Sequence, residues 1–183
     1  MDVASLLQDF LLYAVIPAWL CAGLADWACH RATDIEVTGG TKESLLHVAQ
    51  LSEVGLPLLL ALFFEINALV IALMIVGLAL HQATAMWDVH WANATRTIPP
   101  IEQHVHSVLE MAPAMVFAGF AILNWPAVLD LMQGRFSLTL GLKEQPLPVA
   151  YLTGLMLAVV AMGMVPYGEE LLRCLRAARS RRA

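Results

Sequence analysis

The chain has 183 residues, of which 60% are hydrophobic and only 14% are charged, and its mean hydropathy is +0.71. These values exclude an ordinary soluble domain and are typical of a protein embedded in a membrane. The net charge of −5 and the small number of basic residues argue against nucleic acid as a partner.

Five apolar segments are long enough to cross a hydrocarbon core of about 30 Å as helices. The strand-like alternation that would indicate a membrane barrel is absent. We therefore predict an all-α fold: a polytopic membrane bundle of about five transmembrane helices with a four-helix core, in one domain that covers the whole chain. In chain order, the spans are predicted at about 6–25, 47–64, 68–87, 105–123 and 149–166.

Only Glu65 and Asn67 interrupt the apolar run between the second and third spans. Two helices are still predicted, because a single helix from Glu43 to Trp91 would be about 75 Å long. The polar segment 133–148 is predicted as an exposed loop before the fifth span. Neighbouring helices can re-satisfy backbone groups that a proline frees, so we expect kinks at Pro17, Pro57, Pro113 and Pro166.

The basic residues predict the orientation in the membrane. Five spans place the termini on opposite sides, and the N-terminal side holds only Arg135 and Lys143. The other side holds Arg31, Lys42, Arg96, Arg173, Arg176, Arg179, Arg181 and Arg182. The positive-inside rule therefore predicts that this second side, with a basic tail at 173–183, is cytoplasmic. The N-terminus carries Asp2 and Asp9 and no Lys or Arg before its long apolar stretch, so we expect no cleaved signal peptide.

The ionisable residues gather at the cytoplasmic ends of the first four spans. All six histidines map there, together with six carboxylates. A charged group inside a span costs about 2.5–3.5 kcal/mol, so such groups usually face the bundle interior and mark function. The residues that we predict as metal ligands are Asp26, His30, Glu43, His47, Glu53, His81, Asp88, Glu102, His106 and Glu110.

Helical spacing places many of these residues on shared faces. Four helices that each present a carboxylate and an imidazole to one axis are typical of dinuclear carboxylate sites. Iron or manganese is favoured over structural zinc, because there are more oxygen donors than one tetrahedral ion can use. His90 and His104 point away from their neighbours and are predicted to be peripheral. The residues that share a face are Asp26 with His30, Glu43 with His47, Glu102 with His106 and Glu110, and His81 with Asp88.

Several of these residues also have a purely structural explanation. Glu43 and Glu102 lie in first helical turns, where a carboxylate complements the helix dipole. His30 lies near a helix C-terminus, where as a cation it would act as a cap. Asp26 and Asp88 lack such an explanation, because a carboxylate near a helix C-terminus is electrostatically unfavourable. These two residues therefore favour the functional interpretation.

Four stretches of the chain carry a family resemblance: Asp26–Arg31 (DWACHR), Thr38–His47 (TGGTKESLLH), His81–Asp88 (HQATAMWD) and Arg96–Glu110 (RTIPPIEQHVHSVLE). They resemble a group of small uncharacterised bacterial inner-membrane proteins that are often labelled diguanylate cyclase. The resemblance spans roughly 26–113 and implies the topology and a bacterial inner-membrane location. The cyclase activity is not predicted, because that enzyme needs a soluble α/β domain that this chain has no room for.

The leading hypothesis is an integral membrane metalloprotein with two transition-metal ions near the cytoplasmic face. Iron is favoured, with manganese and zinc as alternatives. Iron held by carboxylates and histidines can activate O₂, which predicts an oxidoreductase acting on a lipid, a quinone or another apolar substrate. The histidine boxes of membrane hydroxylases and desaturases (HxxxH and HxxHH) are missing from the sequence, so membership of those families is not predicted.

Three rival interpretations stay open at this point. A b-haem would need His47 with His81, or His81 with His106, at matching depth. A membrane zinc hydrolase would need three ligands, an open position and a carboxylate base. A structural or proton-handling bundle would pair the histidines with carboxylates and bind no metal.

Overall fold

The computed structural model describes residues 2–135 and 138–181. Within these ranges the fold is all-α, as predicted, and consists of six helices. The five helices other than α5 are long and apolar enough to cross a membrane, which confirms the prediction of five spans. The helices are α1 (Val3–Ala32), α2 (Gly40–Phe63), α3 (Ala68–Thr95), α4 (Pro100–Leu123), α5 (Trp125–Met132) and α6 (Val149–Ser180).

The five long helices form a closed ring. Helix α1 packs against α4 and α6, α4 packs against α3, α3 packs against α2, and α2 packs against α6. Helix α6 thus closes the ring beside the four helices that were predicted to form the core. Because consecutive long helices run in opposite directions, the C-terminal ends of α1, α3 and α6 meet the N-terminal ends of α2 and α4 at one end of the ring. We call this end the polar end.

The opposite half of the ring is filled by aliphatic and aromatic side chains. Leu11 and Ile16 of α1, Leu62 of α2, Ile71 of α3 and Phe120 of α4 are buried there. Burial of this surface accounts for the packing of the five helices against one another. The ionisable groups are therefore confined to one end of an otherwise apolar interior.

Two of the four prolines follow π-helical turns rather than simple kinks. The turn Leu11–Val15 precedes Pro17, and the turn Val160–Met164 precedes Pro166. A π-turn inserts one extra residue, which rotates every later residue by about 100° relative to an unbroken helix. In α1 the carbonyl of Leu12 accepts a hydrogen bond from Tyr151 at 2.8 Å, as expected when a neighbouring helix satisfies a group near a proline.

The long helices extend beyond the predicted spans at the polar end. Helix α1 continues to Ala32, α3 continues to Thr95, and α6 continues through most of the predicted tail to Ser180. The described residues of the loop at 133–148 are exposed, as predicted, except Lys143 and Leu147, which are partly buried. This loop contacts the turn between α2 and α3, where Phe64 and Leu142 form an antiparallel bridge. Phe136 and Ser137 in this loop, and Arg182 and Ala183 in the tail, lie outside the described residues.

Candidate metal centre

Nine ionisable side chains from all five long helices and the α3–α4 loop meet inside the polar end, and eight of them are almost inaccessible to solvent or wholly buried. His106 is the most exposed, with 14% of its side chain accessible. We call this group the buried polar cluster, and it consists of Asp26, His30, Glu43, His47, Asp88, Arg96, Glu102, His106 and Glu170.

Glu170 of α6 forms hydrogen bonds with two histidines. Its Oε2 atom lies 3.0 Å from Nδ1 of His30, and its Oε1 atom lies 2.9 Å from Nδ1 of His47. A carboxylate can only accept hydrogen bonds, so both imidazoles donate through Nδ1–H. The two rings are stacked with their centroids 4.4 Å apart and their planes 7° from parallel. Glu170 therefore fixes the orientation of both rings.

The opposite nitrogen of each ring is available to a ligand. In a neutral imidazole that donates through Nδ1, the Nε2 atom carries a lone pair. The Nε2 atoms of His30 and His47 are buried and form no well-aligned hydrogen bond among the described residues, although carboxylate oxygens lie 3.2–3.5 Å from them. Metal-binding histidines almost always use one nitrogen for the ion and donate the other N–H to a carboxylate, carbonyl or water. Glu170 supplies that carboxylate to two histidines.

The first candidate group of ligands contains Asp26, His30, Glu102 and His106. Nε2 of His106 lies 2.9 Å from Oδ1 of Asp26, and Nε2 of His30 lies 3.5 Å from the same oxygen and 3.4 Å from Oε1 of Glu102. Ligand atoms that are each about 2.1 Å from one ion and about 90–110° apart lie about 3.0–3.4 Å from each other. These three distances are close to the spacing of ligands around one ion, whereas Nε2 of His106 and Oε1 of Glu102 are farther apart, at 3.9 Å.

The second candidate group contains His30, Glu43 and His47, and Asp88 lies beside it. Oδ2 of Asp88 is 3.2 Å from Nε2 of His47 and accepts a hydrogen bond from Gln50, also at 3.2 Å. One oxygen of Glu43 and one of Asp88 are buried and have no hydrogen-bond partner among the described residues. The two groups share His30, whose single free nitrogen can serve one ion at a time.

The backbone before α2 is shaped to accommodate Glu43. Gly40 has a φ of +70°, a conformation that side chains rarely adopt. A Cβ atom on Gly39 would lie 1.5 Å from Oε2 of Glu43, so the carboxylate occupies the space that a side chain there would need. The carbonyl of Gly39 accepts a hydrogen bond from Trp91 at 3.0 Å, which ties this turn to α3. The two glycines of the TGG motif therefore position a carboxylate of the cluster.

Arg96, in the loop between α3 and α4, bridges two carboxylates of the cluster. It donates to Oε1 of Glu43 at 3.0 and 2.5 Å and to both oxygens of Glu102. Although burial opposes its charge, the hydrogen bonds to Glu102 and Glu43 raise the pKa of Arg96 above its ordinary value. The guanidinium is therefore charged and holds Glu43 and Glu102 next to each other.

The cluster carries more negative than positive charge. Five buried carboxylates stand against one guanidinium, which leaves four negative charges if the histidines are neutral. Two divalent cations would balance this charge. Protonating all three histidines would also remove most of it, but it would stack two imidazolium rings 4.4 Å apart and leave no lone pair on Nε2. Bound cations, or protons on the histidines, would therefore balance the charge of these donors.

An apolar cavity of about 300 Å³ lies beside the cluster, inside the ring of helices. Asp26, His47, Asp88 and His106 form its polar end. Leucine, valine and methionine side chains from α1, α2 and α6 form most of the remaining wall. Tyr167 also lines the cavity, and its hydroxyl lies 3.4 Å from Oδ2 of Asp26. A ligand in this cavity would lie next to the candidate metal ligands.

The ten residues predicted as ligands do not all meet at one point. Seven of them belong to the buried polar cluster. His81 and Glu110 line the cavity instead, and Glu53 accepts a hydrogen bond from Thr84 at 2.8 Å. These three residues are not part of either candidate ligand group. His90 and His104, predicted to be peripheral, are exposed.

The sequence interpretation missed three residues of the site. Glu170 and Tyr167 lie beyond the predicted end of the fifth span at residue 166, and Arg96 was counted only as evidence for orientation. Continuing the fifth helix past Pro166 would have placed Tyr167, Glu170 and Cys174 on one face at spacings of three and four residues. All three are buried.

Comparison with known proteins adds no further assignment to this site. The chain matches no protein-family model, no curated protein and no solved structure. The geometry of the polar end therefore carries the functional argument: a membrane bundle in which buried carboxylates and histidines could hold metal ions.

Proposed function

We propose that the protein is an integral membrane di-metal protein, with iron as the favoured metal and manganese or zinc as alternatives. One observation carries the proposal: Glu170 accepts hydrogen bonds from Nδ1 of His30 and Nδ1 of His47, while both Nε2 atoms are buried, form no well-aligned hydrogen bond among the described residues and face carboxylate oxygens at 3.2–3.5 Å. A network built only for structure would be expected to satisfy these nitrogens.

The chemistry of the donors supports iron or manganese. The candidate ligands comprise four carboxylates and three imidazoles and include no thiolate, and helix bundles that bind two irons use a closely similar set. The ligands are Asp26, His30, Glu43, His47, Asp88, Glu102 and His106.

We further infer an oxidoreductase activity on an apolar substrate. Such a metal pair supplies transfer of electrons to O₂. With a hydroquinone or an alcohol as the electron donor, two substrate molecules each lose two electrons and two protons, and one O₂ takes up all of them to form two water molecules. The apolar cavity beside Asp26, His47 and His106 would hold such a substrate and exclude bulk water.

We infer a location in a bacterial inner membrane from the sequence resemblance, and the distribution of basic residues supports an orientation with the polar end at the cytoplasmic face. Arg31, Lys42 and Arg96 lie at the polar end, as does the basic C-terminal part of α6. Lys42 lies 3.7 Å from the centre of the Trp91 ring, as expected for side chains at a membrane interface. The metal ions would then be supplied from the cytoplasm.

Elemental analysis of the protein purified in a mild detergent tests the metal site. We expect about two iron ions per chain after anaerobic loading with Fe(II). His106→Ala should lose metal, whereas His104→Ala should keep it, because His104 is exposed and lies on a different side of the same helix. Fewer than one transition-metal ion per loaded chain would refute the proposal. If the protein instead bound two zinc ions, the metal site would be supported and the redox activity refuted. A haem absorption spectrum would identify a haem protein.

A further inference from the structure

His81 lines the cavity with buried ring nitrogens, and it belongs to neither candidate ligand group. Its side chain lies about two turns before Asp88 on α3 and lines the cavity. It is 3% exposed, and neither Nδ1 nor Nε2 forms a well-aligned hydrogen bond among the described residues, although the backbone of Gln50 and of Leu109 lies near the ring. Burying an imidazole without a partner costs free energy, so the site favours a ligand that can form a hydrogen bond with it.

The remaining wall of the cavity fits an apolar tail. It is lined by side chains such as Leu51, Leu59 and Met162, and it extends outward to Leu56 of α2 and Met164 of α6. Leu56 and Met164 are 63% and 58% exposed, so they lie on the outer surface that faces lipid. The cavity therefore reaches from the polar cluster to the lipid-facing surface between α2 and α6.

Glycines keep the passage between α2 and α6 wide. Gly55 and Gly163 both line the cavity. A Cβ atom on Gly55 would have no atom within 4 Å, and one on Gly163 would meet only a Leu51 side chain at 3.7 Å. Neither glycine is required by close packing, so the absence of side chains leaves space for a ligand.

The volume and charge of the cavity limit the kinds of ligand that it can bind. A cavity of about 300 Å³ is at the small end of ligand pockets, so it suits one chain or one ring rather than a diacyl lipid. The carboxylates of Asp26, Asp88 and Glu110 line it and disfavour an anionic head group. Two bound divalent ions would neutralise the cluster, so a cationic head group would gain little. This last step rests on the proposed function.

We propose that the cavity binds an uncharged lipid-like molecule whose hydroxyl or carbonyl oxygen forms a hydrogen bond with His81, and whose apolar tail leaves between α2 and α6. Since imidazole can donate or accept, His81 suits either oxygen group. The oxygen would then lie between His81 and the candidate metal ligands at the polar end of the cavity.

Fluorescence quenching by a brominated alkanol tests this binding mode. Trp19 lines the cavity, so dodecanol brominated midway along its chain should quench it saturably in protein reconstituted in nanodiscs. Trp19→Phe should abolish the saturable component. His81→Leu should weaken binding about fivefold, because a hydrogen bond is worth about 1 kcal/mol. Equal quenching of the His81→Leu protein would overturn the proposal.

A matched pair of glycine variants tests the route of the tail. Gly55→Phe should fill the cavity and abolish saturable quenching. Gly154→Phe places the same side chain on the exposed face of α6, where a Cβ has no atom within 4 Å, and should bind the alkanol as the parent protein does. Unchanged binding by Gly55→Phe would show that the alkanol lies elsewhere.

Competition and metal analysis separate this inference from the metal site. Unbrominated dodecanol and decyl-ubiquinone should both displace the probe. If dodecanol acts at the lower concentration, the site prefers a hydroxyl head group, and if decyl-ubiquinone does, it prefers a carbonyl head group. Displacement by dodecanoate or dodecylamine at that same concentration would overturn the proposal. Metal content should be unchanged in His81→Leu and Gly55→Phe, since neither residue is in a candidate ligand group. Loss of metal from His81→Leu would instead make His81 a ligand and refute its assigned role.

Discussion

Substitution of Glu170 by glutamine is the most informative test of how the metal site is held together. The glutamine side chain has nearly the same shape, but its carbonyl oxygen can accept from only one of the two imidazoles. Its NH₂ group would face the second Nδ1–H, where two donors oppose each other. One of His30 and His47 would therefore lose the partner that now lies within 3.0 Å.

The expected magnitude follows from the role of this carboxylate. Removing a group that orients a metal-binding histidine typically lowers metal affinity about 10- to 100-fold, which is about 1.4–2.7 kcal/mol. Since Glu170 orients two histidines, we expect a loss toward the upper end of this range. Glu169→Gln provides the matched control, because Glu169 lies at the surface and pairs with Trp27, Arg31 and Arg173.

Competition with a chelator of known affinity measures this effect. The metal dissociation constant should increase strongly in Glu170→Gln and change less than threefold in Glu169→Gln. Circular dichroism of both variants checks that the helices are intact. If Glu170→Gln bound metal as tightly as the parent protein, the histidines would not be oriented by Glu170 and the reasoning about their free nitrogens would fail.

Further predictions concern stability, measured by unfolding the metal-free protein in mixed micelles with denaturing detergent. Arg96→Gln should lower the free energy of unfolding by about 3–5 kcal/mol, because it leaves buried carboxylates without their counter-charge. Arg173→Gln breaks a more exposed ion pair and should cost less than about 1 kcal/mol. Gly77→Ala should cost about 1–3 kcal/mol, because its Cβ would lie 2.3 Å from a backbone oxygen of α2. Gly55→Ala meets no atom within 4 Å and should leave stability unchanged or slightly increased. Equal losses within either pair would contradict the assigned contacts.

The location of the site could be predicted because ionisable residues inside apolar transmembrane segments are easy to recognise in the sequence. In an apolar bundle, a group such as Asp26 or His47 is too costly to face lipid, so its presence in a span indicates an inward orientation. Alternation of helix direction then brings the ends of the first four spans together. This reasoning needs no side-chain detail, and it placed Asp26, His30, Glu43 and His47 at the same end of the bundle, where the structure has them.

The details of the site could not be predicted for local reasons. The π-turn before Pro166 rotates the later residues of α6, and Glu170 follows it, so a simple 3.6-residue pattern does not carry across. Arg96 lies in a loop, where the sequence gives no direction for the side chain, and its pairing with Glu43 and Glu102 depends on tertiary structure. Whether Glu53 or Glu110 reaches the cluster depends on small rotations of α2 and α4 that a sequence pattern does not resolve.

The protein compensates the negative charge of some carboxylates in the cluster better than that of others. Both oxygens of Glu102 accept hydrogen bonds from Arg96, and Glu102 lies in the first turn of α4, where the helix dipole is favourable. Asp26 lies in the last two turns of α1, and the nearest phenol, that of Tyr167, is 3.4 Å from it. Its Oδ1 forms no well-aligned hydrogen bond among the described residues, and the nearest positively charged partners it can have are His106 and His30, at 2.9 and 3.5 Å, when they are protonated.

This difference predicts opposite effects of neutralising the two residues in the metal-free protein. Asp26→Asn removes a buried charge that neutral His30 and His106 leave uncompensated, so it should raise stability, even though it should also weaken metal binding. Glu102→Gln leaves Arg96 with one fewer carboxylate and should lower stability by about 1–3 kcal/mol. Unfolding of both variants with and without Fe(II) separates the two effects, since added metal should stabilise the parent protein more than either variant. If Asp26→Asn destabilised the metal-free protein as much as Glu102→Gln, Asp26 would serve the fold rather than an ion, because a residue kept for metal binding is expected to cost stability when the metal is removed.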